Sequence, residues 1–383
     1  LPERAVDSRH APGPGSGTIA CMTRRSPLPE EFAEVPFTAR SARQAGMSAG
    51  RLRASDLARP FRGVRVAAAQ PDELPWRCGA YQRAMHPRHV FSHETAAELY
   101  GLPLPSYARV SDTLHVSSPA PLRAPAGAGI TGHQLSDAIW SSREFIHYGP
   151  LGMLFVFQLA SPEFVWAQLA PRLLVDDLVA VGDAIVGGRA PLGAIADLHR
   201  IAGASVGHRG AKTIAAAIEH VRVGSLSRPE TLLRLILVRA GFPEPVLNLE
   251  VTDASGRPIA MADLCWPEYR VLVEYEGDGH RMSRGKFRSD ITRGERYQDG
   301  GWFQLRASAD DVFRDPNPFA GRLARRLRER GWHPAVAELR PVAGARRAKS
   351  YGRSNALIEG ALDGQAFPCW DTDGVCGPGV CWS

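Results

Sequence analysis

Apolar residues recur along this chain with a period near 3.6 in some stretches and of two in others, and the switches between them mark out its elements. In FTARSARQAGMSAGRLRASDLARPFRGVRV, residues 37–66, Thr38 caps a short helix carrying Ala42 and Ala45, which Gly46 ends. Ser48 caps a second helix with Leu52 on its inner face, and Pro60 stops the pattern before Phe61 to Val66, which reads as a short β-wing. Two short helices at a glycine turn followed by a strand predict a small winged helix-turn-helix. Helical spacing returns in Trp76 to Met85, Ser92 to Tyr100, Pro162 to Ala170, Val175 to Ile185, Pro191 to Ile201 and Arg209 to Val221. Thr113 to Val116, Ile130 to His133 and Leu151 to Gln158 read as strands.

The pattern is clearest from Ser227 onward. Ser227-Arg228-Pro229-Glu230 is a capping box opening a helix through Arg239, with Leu233, Ile236 and Leu237 inward. A strand from Val246 to Val251 and a turn at Asp253 to Gly256 lead into IAMADLCWPEYRVLVEYEGDGH, Ile259 to His280. This stretch predicts a hairpin with a four-residue loop at Pro267-Glu268-Tyr269-Arg270. A period of two puts Glu274 and Glu276 on one face of the second strand and Val271, Val273 and Tyr275 on the other. The loop length sets Asp263 opposite Glu274, with Cβ atoms about 4.5–5.5 Å apart. Ser283 then caps a helix through Gln298 bearing Lys286, Asp290 and Arg293 on one stripe, followed by a strand from Trp302 to Arg306 and an Arg-rich helix from Pro318 to Arg330. The order α-β-β-β-α-β-α predicts an α/β domain.

Composition bounds the class. The 383 residues suffice for two or three domains, and 44% apolar with 22% charged residues is a globular balance. Nearly all of the basic residues behind the net charge of +6 are Arg, which fits an anionic polymer as partner and equally fits GC-rich coding. Seven arginines stand against Asp56 between Arg40 and Arg65. Arg51 and Arg53 are thereby expected near base edges, with Arg62 and Arg65 on phosphates, unless the unit is only a solvated helical hairpin. No apolar run reaches the roughly 18 residues of a membrane span, and a secretory leader pattern is missing, so a cytoplasmic protein is expected. Residues 1–21, LPERAVDSRHAPGPGSG and the four that follow, precede the first Met and are expected to be disordered or to lie upstream of the true start. Cys21, Cys78 and Cys265 are scattered; Cys369, Cys376 and Cys381 lack CxxC spacing and read as part of a flexible tail. His86, His89 and His93 are not at ligand spacing, and His93 with Glu94 reads as a helix N-terminus.

Facing carboxylates on a half-buried sheet repel, and a hard divalent cation between them reverses the sign of that energy. Asp263 and Glu274 are therefore candidate ligands for Mg²⁺ or Mn²⁺, which need few protein ligands when a phosphate supplies oxygens. Glu276 lies one pleat further on, His280 just past the strand is a candidate base, and Lys286 and Arg293 are candidate phosphate contacts. The alternative is a solvated face on which Glu274 and Glu276 pair with arginines.

At these residues the segment Ser227 to Asp311 resembles the very-short-patch-repair-like endonuclease domain of the PD-(D/E)XK nuclease superfamily. The resemblance rests on Glu230-Thr-Leu-Leu233, Asp263-Leu-Cys-Trp266-Pro267, Val273-Glu274-Tyr275-Glu276-Gly277-Asp278-Gly279-His280, Asp290-Ile-Thr-Arg293 and Gly301-Trp302. It implies a restriction-endonuclease-like mixed sheet flanked by helices, with Asp263 and Glu274 as metal ligands and Glu230 as a helix-borne acid. Where the superfamily carries a lysine two residues after the second acid, this chain has Glu276, leaving charge stabilisation to His280, Lys286 or Arg293. The N-terminal unit resembles the winged helix of AbiEi-type antitoxins, which bind promoter DNA. The expected organisation is a disordered extension (1–30), a winged helix-turn-helix (31–70), an α+β and helical middle region (71–225), an endonuclease-like domain (226–335) and a flexible tail (336–383). The expected function is a metal-dependent DNA endonuclease in defence or repair. The alternative is an antitoxin-type regulator with a catalytically silent nuclease-like domain, and the middle region is a candidate surface for a toxin or another protein.

Overall fold

A computed structural model describes residues 26–67, 73–109, 112–135, 140–148, 154–253, 255–277, 284–334, 340 and 344, the side chains of 284–290 excepted. The chain is a mixed α/β protein whose described strands form three sheets.

The N-terminal unit comprises α1 (Glu30–Ala33), β1 (Phe37–Thr38), α2 (Ala39–Gln44), β2 (Leu57–Ala58) and β3 (Val64–Ala67), with sheet order β1-β3-β2. Thr38 caps α2 as expected, its Oγ1 accepting from Ser41 N at 3.0 Å. The expected second helix is corrected: after Ser48, whose Oγ accepts from Arg51 N, the chain makes one 3-10 turn, Arg51–Arg53. Ala54 takes extended backbone, and Arg51 binds Asp56 through both guanidinium nitrogens, which draws the chain back on itself after a single turn. Residues 26–30, expected within a disordered extension, instead lie against this unit: Ser26 O accepts from Arg51 Nε, and Leu28 packs on the cluster around Phe37, Leu52 and Leu57.

The middle region runs α3 (Leu74–Gln82), β4 (Val90–Phe91), α4 (His93–Leu99), β5 (Leu114–Pro119), β6 (Ile130–Leu135), β7 (Ser142–Tyr148) and β8 (Leu154–Ala160). The helices α5 (Pro162–Leu169), α6 (Val175–Val186), α7 (Ile195–Ala204) and α8 (Ala211–Ile218) follow. Its sheet order is β6-β5-β4-β8-β7, with β4–β8 and β5–β6 parallel. Phe91, Leu114, Phe157 and Trp166 form its core, which Phe61 and Val64 of the N-terminal unit also enter.

The C-terminal part has α9 (Arg228–Ala240), β9 (Val246–Thr252), β10 (Pro258–Trp266), β11 (Val271–Glu276), α10 (Arg284–Asp299), β12 (Phe303–Ser308), α11 (Ala309–Phe313) and α12 (Asn317–Glu329). The sheet is β12-β11-β10-β9, antiparallel except for β11–β12. The expected order therefore appears, with α11 added. One sheet face packs Leu264, Val271 and Val273 against Leu233, Leu237 and the apolar stripe of α12, Phe319, Leu323 and Leu327. The other face buries Ala262, Cys265 and Leu272 against Tyr297 of α10.

Helix α9 joins the middle and C-terminal parts across the expected boundary at 226. Its Leu235 enters the middle core while Leu232, Leu233, Ile236 and Leu237 enter the C-terminal one. Arg228, Arg234 and Arg239 pair with Asp177, Asp183 and Asp176 of α6. Burial pushes Asp183 up to about 6 even with Arg234 beside it. Among the described residues, no helix is long and apolar enough to cross a membrane.

Candidate active site

The hairpin forms because its turn is tightly held. Pro267–Tyr269 makes a 3-10 turn and Arg270 takes the left-handed φ of 52°. Arg270 is fixed there by its carbonyl accepting from Phe303 N at 2.8 Å and by its guanidinium donating to Gly300 O at 2.8 Å. The register pairs Trp266 with Val271, Cys265 with Leu272 and Leu264 with Val273. Continued by one residue it sets Asp263 opposite Glu274, as the alternation predicts, and Asp263 Oδ2 accepts from Tyr275 N at 2.7 Å.

Three acids from three elements meet at this edge. Glu274 is 8% exposed; its Oε1 accepts from Tyr297 at 2.9 Å, and its Oε2 from Gln304 at 2.6 Å and Arg293 at 3.3 Å. Glu230, at the third position of α9, reaches back so that Oε2 accepts from Leu226 N at 2.9 Å and from Asn248 Nδ2 at 3.1 Å. Asn248 adopts a left-handed φ of 45° that aims its amide at both Glu230 and Gly224 O. Burial raises the Glu230 carboxyl above the usual carboxylate range. Asp263 is pushed well up, first by burial and then by the negative charges of Glu230 and Glu274, with Arg293 opposing. Burial and the neighbouring Glu274 likewise raise the Tyr297 phenol. Burial and mutual repulsion thus favour the neutral acids in this poorly solvated cluster, and a bound cation would favour their ionised forms instead.

The other expected site residues are placed as follows. Glu276 is exposed and pairs with Arg306 at 2.8 Å, away from the buried acids. His280 and Asp278 lie outside the described residues, and so do the side chains of Lys286 and Asp290, although α10 carries both of those residues. Arg51, expected near base edges, is bound bidentately to Asp56. Arg65 donates to Leu52 O and Val64 O, while Arg53 and Arg62 are exposed. Tyr297, Gln304 and Asn248, which orient the acids, escaped sequence reasoning; only the buried position of Tyr297 on the inward face of α10 carried a signal.

A second polar cluster also escaped it. Among the described residues, one set of three metal-capable side chains has ligand atoms all within 4.8 Å of one another, and it is His93, His115 and His133 in the middle region. The acids at the hairpin are more widely spread than that.

No family model matches the chain, and no solved structure matches it. Two curated relatives come from Mycobacterium tuberculosis: uncharacterized protein Rv2248 of strain ATCC 25618 / H37Rv and uncharacterized protein MT2308 of strain CDC 1551 / Oshkosh. Each is 32% identical over 101 residues, which is 26% of this chain. The chain covers only 37% of the length of these relatives.

Proposed function

We propose that the protein is a metal-dependent DNA endonuclease, hydrolysing phosphodiester bonds at the β10–β11 edge in a defence or repair role. The observation that carries this reading is the buried Asp263 of β10 facing Glu274 of β11 beside Arg293, with Asp263 raised first by burial and then by the charges of Glu230 and Glu274. Structural carboxylates pair off with cations; these are gathered and under-compensated. The donor set is all oxygen, which suits Mg²⁺ or Mn²⁺ rather than a softer ion. Asp263 and Glu274 would hold the ion, which supplies polarisation of the phosphate and a more acidic bound water. Glu230 stands near Asp263 as a third acid, Tyr297 and Gln304 fix the Glu274 carboxylate, and Arg293 presents positive charge next to it. The exposed Arg53 and Arg62 of the N-terminal unit would supply sequence-independent contacts to DNA phosphates.

The test is nicking of plasmid DNA by purified protein with Mg²⁺ or Mn²⁺, in parallel with Asp263→Asn. Cleavage lost in the variant supports the reading; equal cleavage by both traces the activity to a contaminant and sinks it.

A second reading, a promoter-binding regulator of antitoxin type with a silent nuclease-like domain, is favoured by two observations. Both Glu274 oxygens already accept hydrogen bonds, and the position of the superfamily lysine is Glu276, paired with Arg306. It predicts salt-sensitive promoter binding with no cleavage under any metal. For a protein partner such as a toxin, the middle region offers Ile146, Tyr148, Leu154 and Val156, exposed on the paired strands β7 and β8.

A further inference from the structure

We propose that the middle region contains a second metal centre, in which His93, His115 and His133 bind one divalent first-row transition ion such as Zn²⁺. The site stands apart from the hairpin acids and does not depend on the nuclease reading.

The fold builds the cluster from three elements. His93 opens α4, and His115 and His133 lie on the parallel pair β5 and β6. The register pairs His115 with Thr131 and Ser117 with His133, so both histidines project from the same sheet face, one pleat apart. His115 Nδ1 is 3.0 Å from His133 Nε2. Two ligands at 2.0–2.1 Å from a tetrahedral ion stand about 3.3–3.4 Å apart, so the pair needs only a small separation to admit one. His93 is held by two contacts. Its N donates to Gln168 Oε1 at 3.0 Å across a left-handed φ of 50°, and its Nδ1 lies 3.0 Å from Ser92 Oγ. Ser92 Oγ in turn accepts from Ser117 Oγ at 2.7 Å. With Nδ1 so engaged, Nε2 is the ligand atom, the orientation that metal-binding histidines commonly owe to an outer partner. The His93 and His133 rings stack at 3.7 Å, and the ligand atoms of all three histidines lie within 4.8 Å of one another.

The buried carboxylate of Glu94 lies beside the three histidines and is paired with Arg172. Its side chain is 2% exposed, with Oε2 3.3 Å from His115 Nδ1 and Oε1 2.7 Å from Arg172 Nη1. Both contacts are off the hydrogen-bonding direction, so neither oxygen accepts a well-formed bond. Arg172 gives this buried carboxylate one charge partner, and a cation held among the imidazoles would give it a second. Three nitrogen donors select Zn²⁺ or Co²⁺ over Mg²⁺, and three protein ligands leave a fourth position. Glu94 stands beside it as charge compensation.

The experiment uses the full chain, freed of metal by chelation and dialysed against Co²⁺ or Zn²⁺ alone, with bound metal measured by elemental analysis and Co²⁺ by its visible spectrum. The expected result is one ion per chain, unaffected by Asp263→Asn. His133→Gln, at a half-buried position on the edge strand β6, weakens binding by more than about 100-fold, and Ser92→Ala by roughly 10–100-fold. Failure of the wild type to bind at stoichiometric levels overturns the proposal. So does unchanged binding in both His133→Gln and His93→Gln, or a thiolate-to-cobalt charge-transfer band, which would assign the ion to cysteines.

Discussion

Replacing Asp263 by Asn is expected to make this protein more stable and, on the nuclease activity proposed above, to stop DNA cleavage. The carboxylate sits opposite Glu274 and in the field of Glu230, and both raise its pKa on top of burial. At the roughly 5 Å of a facing cross-strand pair, two unit charges at an effective dielectric of about 20 repel by about 3 kcal/mol. Arg293 offsets part of this, and the Asn carbonyl still accepts from Tyr275 N, so about 1–2 kcal/mol of relief remains, or roughly 2–8 °C in Tm. The sign with pH follows. A carboxyl whose folded pKa is raised above its unfolded value costs stability when ionised, and that cost disappears as pH falls through the folded value. The stability difference between variant and wild type is therefore largest near pH 8 and narrows toward pH 5. Thermal unfolding of both proteins at several pH values measures it. Added Mg²⁺ raises the wild-type Tm alone, by mass action on the folded state. A variant less stable than wild type at pH 8, or a gap that widens on acidification, refutes the electrostatic account of the hairpin.

Three further outcomes are expected. Tyr297→Phe removes the hydroxyl that donates to Glu274 Oε1 in a buried setting, lowering stability by about 1–3 kcal/mol in urea unfolding and reducing cleavage. Arg234→Met leaves Asp183 buried without its cation and costs about 3–5 kcal/mol at pH 8. Without Arg234 the Asp183 carboxyl moves up from its wild-type value of about 6, so the loss shrinks as pH falls toward 6, and Arg234→Met with Asp183→Asn recovers most of it, as denaturant titrations would show. Arg53→Ala and Arg62→Ala each flatten the plot of log affinity for DNA against log salt by about 0.9, whereas Arg51→Ala instead loosens the N-terminal unit by breaking the Asp56 pair.

The secondary structure was legible where the determinants are local. The capping box at Ser227, the Thr38 cap and the α12 stripe each depend on residues within one or two helical turns, and each element stands where its pattern predicts. The second N-terminal helix failed because helical spacing around Leu52 competes with the Arg51–Asp56 pair, which closes the turn early. The strands β4 and β7 went unread: one has two residues, and the other, SREFIHY, buries only Phe145 fully.

By itself, the sequence determined the hairpin, its four-residue loop and the opposition of Asp263 to Glu274, since a period of two and a loop length settle which side chains share a face. It also put Glu230 at the third position of a capped helix. Only the tertiary structure decided that the charge of Glu230 is felt at Asp263, that Glu276 turns to Arg306, and that α9 ties the middle region to the C-terminal sheet. It alone decided that histidines on α4, β5 and β6 converge. The reason is physical: strand pairing and helix capping are fixed by neighbours along the chain, whereas convergence of distant side chains depends on crossover connections and on which groups burial forces together.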